Sequence, residues 1–149
     1  MANKEEKIKK FYEVVSKMQI PPGKEVGLII SRKKKVLADI SQQAPNSNMV
    51  TAFELDKETN VEKVIDDLAD AMSTGRTALI QIHDYLDQKI FNQLYLLSKD
   101  GRMQYAKLED WVTVDAVPEA SIILISTEKE LENLNYTNIM DMVGPVLRI

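Results

Sequence analysis

The sequence contains no cysteine, a single histidine and only five glycines among its 149 residues. Without cysteine the chain cannot form a disulfide, a thiolate metal site or a thiol nucleophile. A single histidine excludes a zinc site that is built from several histidines. The few glycines form no GxGxxG fingerprint for a dinucleotide, and the chain has no GxSxG nucleophile elbow of the hydrolase type.

Long hydrophobic runs and an excess of positive charge are also missing. No apolar segment reaches the roughly 18 residues that a membrane span needs, and the charged N-terminus has no apolar region typical of a secretion signal. The net charge of −4 and the pI near 5.1 disfavour a nucleic-acid partner. We therefore expect a cytoplasmic protein without a membrane segment, in which residues 1–149 form a single α/β domain.

Short apolar runs alternate with amphipathic helical segments along the chain. Such alternation is typical of a three-layer sandwich, in which helices cover both faces of a mostly parallel sheet. The five predicted strands are residues 25–30, 49–55, 77–83, 121–126 and 146–149. The predicted buried centre consists of Leu28, Ile29, Leu79, Ile80, Ile82, Ile122, Ile123, Leu124, Ile125 and Val146.

Short polar residues predict where the helices begin. Capping boxes are expected at Asn3 with Glu6, Thr59 with Glu62, and Thr127 with Glu130. Asp87 is expected to cap the helix before the Asp100-Gly101 turn, and the pattern then changes. Two short extended pieces between Gly101 and Pro118 suggest a hairpin that lies over this helix.

A basic segment directly follows the first predicted strand. It consists of Ser31, Arg32, Lys33, Lys34 and Lys35. A strand that leads into a helix N-terminus is a common place for an anion, because free N–H groups and the helix dipole point there. Lysines in the first turn of that helix oppose the dipole, so they either contact a bound phosphate or extend into water.

Polar residues also end the third and fourth predicted strands. His83 and Asp84 follow one strand, and Thr127 follows the other. The carboxyl ends of parallel strands form the crevice where ligands bind, which makes Asp84 and Thr127 candidates for the same phosphate or nucleotide site. His83 and Asp84 are compatible with an acid–base pair, although neighbours at a strand end usually point to opposite sides, which favours a structural histidine.

The order of these motifs resembles the core of an AAA+ P-loop ATPase, most strongly over residues 77–149 and more weakly over 25–60. ALIQIHD stands where the family has its Walker B strand, and SIILIST is similar to the sensor 1 strand. DQKIFNQLYLLSKDGRM resembles the helix and acidic-Gly turn between them, and NIMDMVGPVLRI resembles the approach to the last core strand. The resemblance implies a five-stranded sheet with the order 5-1-4-3-2.

The departures from this family concern its chemistry. A Walker A loop uses glycines to wrap the phosphates, whereas SRKKKVLADIS contains none. His83-Asp84 replaces the acidic pair that serves magnesium and the attacking water. The resemblance is therefore to a degenerate core, without an intact Walker A loop and without the family's helical lid.

Three functions remain open at this stage. The first is a catalytically silent AAA+-like core without a cofactor, which acts as a protein–protein interaction or assembly module. The second is a regulatory domain that binds a nucleotide or phosphate through residues 31–35, with Asp84 opposite them. The third is a receiver-like signalling domain that uses Asp84 together with Ser126 or Thr127.

A partner surface is expected in the segment 102–118. It contains Met103, Tyr105 and Trp111 beside acidic residues, and aromatic and Met enrichment within a polar rim is typical of interfaces. Exposed tryptophan is a favoured hot spot, while burial of Trp111 in the core is the alternative. The predicted partner is another protein or a second copy of the chain.

Overall fold

The computed structural model describes residues 3–134 and 136–149. Helices and strands alternate along them, as the sequence predicts, and a 3-10 turn at Ser47–Met49 precedes β2. The helices are α1 Lys4–Lys17, α2 Leu37–Gln42, α3 Val61–Ser73, α4 Gln88–Asp100, α5 Glu128–Asn133 and α6 Tyr136–Met140. The strands are β1 Val26–Ser31, β2 Val50–Leu55, β3 Thr77–Ile82, β4 Arg102–Lys107, β5 Asp110–Asp115, β6 Ser121–Thr127 and β7 Val143–Arg148.

The main sheet has the order β2-β3-β6-β1-β7, and all its neighbouring strands are parallel. When its five strands are numbered along the chain, this order is 5-1-4-3-2 seen from the other edge. The predicted fold class and strand order are therefore confirmed. The receiver-like alternative is wrong, because that fold has the order 2-1-3-4-5.

The core lies on both faces of this sheet. On one face, α1 and α2 pack against side chains such as Ile29 and Ile123. On the other face, α3, α4 and the β4–β5 hairpin pack against side chains such as Leu28 and Leu124. Gly27 allows α1 to lie close to β1, since a Cβ atom there would lie only 2.6 Å from Cγ2 of Val15.

The last strand corrects two predictions. It begins at Val143 instead of Val146, and it includes Pro145 because an edge strand tolerates a residue without an N–H group. Val146, predicted to be buried, is 41% exposed. The strand β7 lies at the edge of the sheet and has a single neighbour, β1, so its residues alternate between partial burial and exposure.

Three of the predicted helix starts are confirmed and one is wrong. Asn3 and Asp87 accept hydrogen bonds at their helix N-termini, and Thr127 forms the expected capping box with Glu130. Asn60 caps α3 through a bond from the Lys63 N–H, whereas the hydroxyl of the preceding threonine accepts a bond from the Asp56 N–H.

The lysines at 33–35 do not form the first turn of a helix, because α2 begins only at Leu37. They lie in the preceding loop, where their side chains are exposed. The predicted opposition between these charges and a helix dipole therefore does not arise. Within the described residues, no helix is long and apolar enough to cross a membrane.

Candidate functional site

The loop after β1 occupies the carboxyl end of the sheet centre, and its backbone is tied to neighbouring elements. The Arg32 N–H donates to the Ile149 carbonyl at 3.2 Å, and the Lys33 N–H donates to Ser31 Oγ at 3.0 Å. The buried side-chain amide of Gln81 donates to the Lys34 carbonyl.

These bonds bear directly on phosphate binding. A phosphate cradle presents several unpaired backbone N–H groups to the anion. In this loop two backbone N–H groups are already bonded within the protein, and no glycine lets the backbone come closer to an anion. The Lys34 carbonyl is held toward the protein by Gln81. The loop therefore does not fit a phosphate in the way that a Walker A loop does.

Part of the predicted phosphate site nevertheless comes together beside this loop. Ser31, Arg32 and Thr127 line a crevice of about 400 Å³, together with Glu128, Lys129 and Arg148. Arg148 is paired with Glu128 at 2.9 Å. The three lysines at 33–35 are not among the residues that line the crevice.

Asp84 lines a different crevice, of about 460 Å³, with His83, Tyr85 and residues 56–58. Its carboxylate accepts a hydrogen bond from the Asn133 side chain at 3.3 Å. In the part of the chain that the structure describes, His, Asp and Glu side chains form no group of three that could hold a metal ion. Asp84 is a carboxylate of the kind that binds magnesium, which proteins usually hold through one or two carboxylates together with waters and substrate phosphates.

His83 lies between two carboxylates. Its Nδ1 is 2.9 Å from Oε2 of Glu130, and its Nε2 is 2.8 Å from Oε1 of Glu54. Since carboxylates only accept hydrogen bonds, both contacts are satisfied when the ring carries two protons. Burial works against this cation, but the hydrogen bonds and charges of the two glutamates outweigh it and raise the pKa of His83.

Glu130 connects this histidine to the start of α5. Its side chain is only 1% exposed, and its Oε1 accepts a bond from the Thr127 hydroxyl at 2.9 Å. His83 thus links β2, the end of β3 and α5. The ring bonds to these two glutamates instead of forming an acid–base pair with Asp84, which agrees with the structural alternative.

Neither glutamate partner was identified from the sequence, where Glu130 was assigned only a capping role. Glu54 reaches the ring because β2 and β3 end side by side, with Glu54 in register with Gln81, two residues before His83. The contact with Glu130 depends on how α5 packs over the sheet, and no pattern in the sequence indicates either contact.

The β4–β5 hairpin carries the predicted partner surface. Met103 is fully buried in the core, so its assignment to this surface is corrected. Tyr105 is partly buried and its hydroxyl donates to Asp66 at 3.4 Å; burial, followed by the Asp66 charge, raises its pKa. Trp111 is 77% exposed, so the alternative of core packing is wrong for this residue.

Leu108, at the tip of the hairpin, was not identified from the sequence and is 98% exposed. It lines a groove of about 500 Å³ between α3, α4 and the hairpin, together with Ile65, Tyr105 and Trp111. Trp111 also lines a second hollow, of about 640 Å³, which it shares with Tyr95 of α4. Trp111 therefore lines two adjoining hollows.

Comparisons with known proteins support the fold. Neither a protein-family model nor a curated protein matches this sequence. Among 85 solved chains that match is an ADP complex of Hsp104 from S. cerevisiae, with a TM-score of 0.58 and 10% sequence identity. The match covers 96% of this chain and 32% of that one, so this chain spans about a third of the Hsp104 chain's length. Together with the strand order of the sheet, this likeness shows a P-loop NTPase-like fold.

Proposed function

We propose that this chain is a catalytically silent AAA+-like core that works by binding protein. The observation that carries the proposal is the exposure of Trp111 and Leu108 on one hairpin, beside an apolar groove. Large apolar side chains that cluster on a surface mark interaction sites, and tryptophan is favoured at the centre of protein interfaces. The groove has the polar rim typical of such interfaces, formed by residues such as Glu62 and Lys89.

Two features at the carboxyl ends of the strands support the absence of catalysis in this proposal. Phosphoryl transfer depends on positioned phosphates and on a metal that neutralises their charge. The loop after β1 uses its backbone groups internally, and His83 bonds to Glu54 and Glu130 at the end of the Walker B-like strand. Both features support the proposal that this edge does not carry out phosphoryl transfer.

A photo-crosslinking amino acid at position 111 tests the proposed function in the cells that make the protein. We expect adducts with protein from position 111. Position 13 is the matched control, because Glu13 is exposed on α1, which covers the opposite face of the sheet. An absence of protein adducts from position 111, or the same adducts from both positions, would contradict the proposal.

The crevice beside β1 favours a second candidate function, the binding of a phosphate or nucleotide without turnover. Arg32 and Lys129 line this crevice, and neither side chain forms an ion pair with another residue in the described ranges. These two cations suit an anion, although the Thr127 hydroxyl already donates to Glu130 and the loop backbone is not arranged as a cradle.

A thermal-shift titration with ATP and with pyrophosphate tests this second candidate. A ligand at 100 times its Kd stabilises the folded state by about 2.7 kcal/mol. Replacing Arg32 with Ala should remove the shift, whereas Lys57→Ala, in the neighbouring crevice, should leave it intact. If neither ligand stabilises the wild-type protein at millimolar concentration, this candidate is wrong.

A further inference from the structure

The turn of the β4–β5 hairpin has an unusual residue at its tip. Lys107 pairs with Asp110, so the turn consists of Leu108 and Glu109. Leu108 has a φ of 57°, and it is the sole non-glycine residue with a positive φ in the described part of the chain. A two-residue turn with positive φ at its first position normally takes glycine there, and a bulky residue is strained.

Leu108 is both strained and exposed to solvent, so packing within its own chain does not compensate for the strain. Backbone strain persists where the function of a site requires it, and exposed apolar groups mark interaction sites. Because both occur at one residue, we take Leu108 to be a contact with another molecule. Trp111 follows three residues later on the same hairpin and is also largely exposed.

The shape of this face suits a second copy of itself. Trp111 lines two adjoining hollows, one formed with α3 and α4 and the other with α4 and α6. When a projecting side chain and a hollow lie next to each other, a two-fold axis can place each projection in the hollow of the other copy. One surface then supplies both halves of the interface.

The charges around the first hollow are also self-complementary. Asp66 is paired with Lys107 of the same chain at 3.3 Å. Glu62 on α3 and Lys89 on α4 line the same hollow, and within residues 3–134 and 136–149 neither side chain forms an ion pair or a hydrogen bond. A partner of one charge sign would satisfy only one of them. A two-fold-related copy offers each of them a group of opposite sign.

We infer that the partner of this face is a second copy of the chain, in a two-fold dimer. Trp111 and Leu108 lie at its centre, and Glu62 of each copy pairs with Lys89 of the other. The inference rests on the proposed function, because it names the protein that the hairpin face binds. It adds a two-fold symmetry to that function, and this symmetry determines which two charge variants should form a dimer when they are mixed.

Sedimentation velocity of the full chain over a concentration series tests the dimer. We expect a concentration-dependent shift from monomer to dimer. Trp111→Ala and Leu108→Gly should each weaken the dimer by at least about tenfold in Kd. Tyr85→Ala is the matched control, because Tyr85 is an exposed aromatic residue on a different crevice and should leave the Kd unchanged.

A charge exchange tests the two-fold pairing itself. Glu62→Lys alone places two lysines opposite each other at both contacts, and Lys89→Glu alone places two glutamates there, so each variant should be monomeric. An equal mixture of the two variants should form a heterodimer, because every contact then joins opposite charges. Since mixing cannot restore a chain that has failed to fold, this rescue also controls for folding.

Three results would overturn the inference: a monomer at every concentration up to about 1 mM, a dimer insensitive to Trp111→Ala, or no rescue on mixing. The proposed function fails separately. Protein adducts from position 111 in cells, combined with a strictly monomeric purified chain, would refute the dimer and leave the interaction module standing. An absence of adducts would refute both.

Discussion

Replacing His83 with glutamine is expected to destabilise the fold in a way that depends on pH. The ring joins the buried Glu130 to the more exposed Glu54, at 2.9 and 2.8 Å. Glutamine retains a hydrogen-bond donor but carries no charge. The variant therefore leaves the Glu130 carboxylate buried without its cation, while its bonds from Thr127 remain.

The size of this effect follows from the burial of the two partners. Removing one member of a fully buried ion pair costs about 3–5 kcal/mol. His83 is only partly buried and glutamine can still donate a bond, so we expect a loss of about 2 kcal/mol in the free energy of unfolding. Glu54→Gln is the matched control at the exposed end of the same network, and it should cost less than about 1 kcal/mol.

The sign of the pH dependence follows from the raised pKa of His83. A group whose pKa is higher in the folded state stabilises fully below its unfolded pKa, which is about 6.5 for histidine. This contribution is lost as the pH rises through the folded pKa, because the neutral ring can donate to only one of the two carboxylates. The stability gap between wild type and His83→Gln should therefore be largest near about pH 6 and should narrow as the pH rises above that.

Urea denaturation of both proteins at several pH values measures this gap directly, and the subtraction cancels groups that titrate equally in each. Glu130→Gln in both backgrounds completes a double-mutant cycle for the buried contact. A stability gap that stays constant with pH, or that widens as the pH rises, would refute the account in which a protonated His83 donates one hydrogen bond to each of two glutamates.

Three further predictions concern stability. Leu108→Gly should raise the free energy of unfolding by about 1 kcal/mol in dilute urea denaturation, because glycine relieves the positive φ; a decrease would contradict the strain at this turn. Leu124→Ala should lower the same quantity by about 2–5 kcal/mol, and Val146→Ala by less than about 1 kcal/mol, because Leu124 is buried and Val146 is exposed; similar losses would contradict that difference. Replacing all three lysines at 33–35 with alanine should change Tm by no more than about 3 °C, because their side chains are exposed; a larger fall would mean that they support the fold.

The strands of the sheet could be predicted from short, continuous apolar runs, and their order from the resemblance to the AAA+ core. The four central residues of SIILIS are all apolar, as expected of a strand between two others, and β6 does lie between β1 and β3. The AAA+-like order of motifs then indicated which strands are neighbours. Where a single residue decides the outcome, prediction was less successful: Asn60 caps α3 instead of the preceding threonine, because adjacent residues compete for the same N–H groups.

The candidate site was harder to predict, because its contacts join distant parts of the chain. Whether Trp111 lies in the core or in water depends on the register of the hairpin and on how it rests on α4. Periodicity does not determine this in a short strand whose alternate residues point to opposite sides. The Glu54–His83–Glu130 contact likewise joins three elements, and no spacing in the sequence brings them together.

The central proposal is that this chain has a P-loop NTPase-like fold and does not carry out phosphoryl transfer. The most direct test is ATP turnover by the purified chain with magnesium, measured as phosphate release alongside an Asp84→Ala variant. We predict no release above background from either protein. Turnover at an ordinary ATPase rate in the wild type, abolished by Asp84→Ala, would contradict the claim.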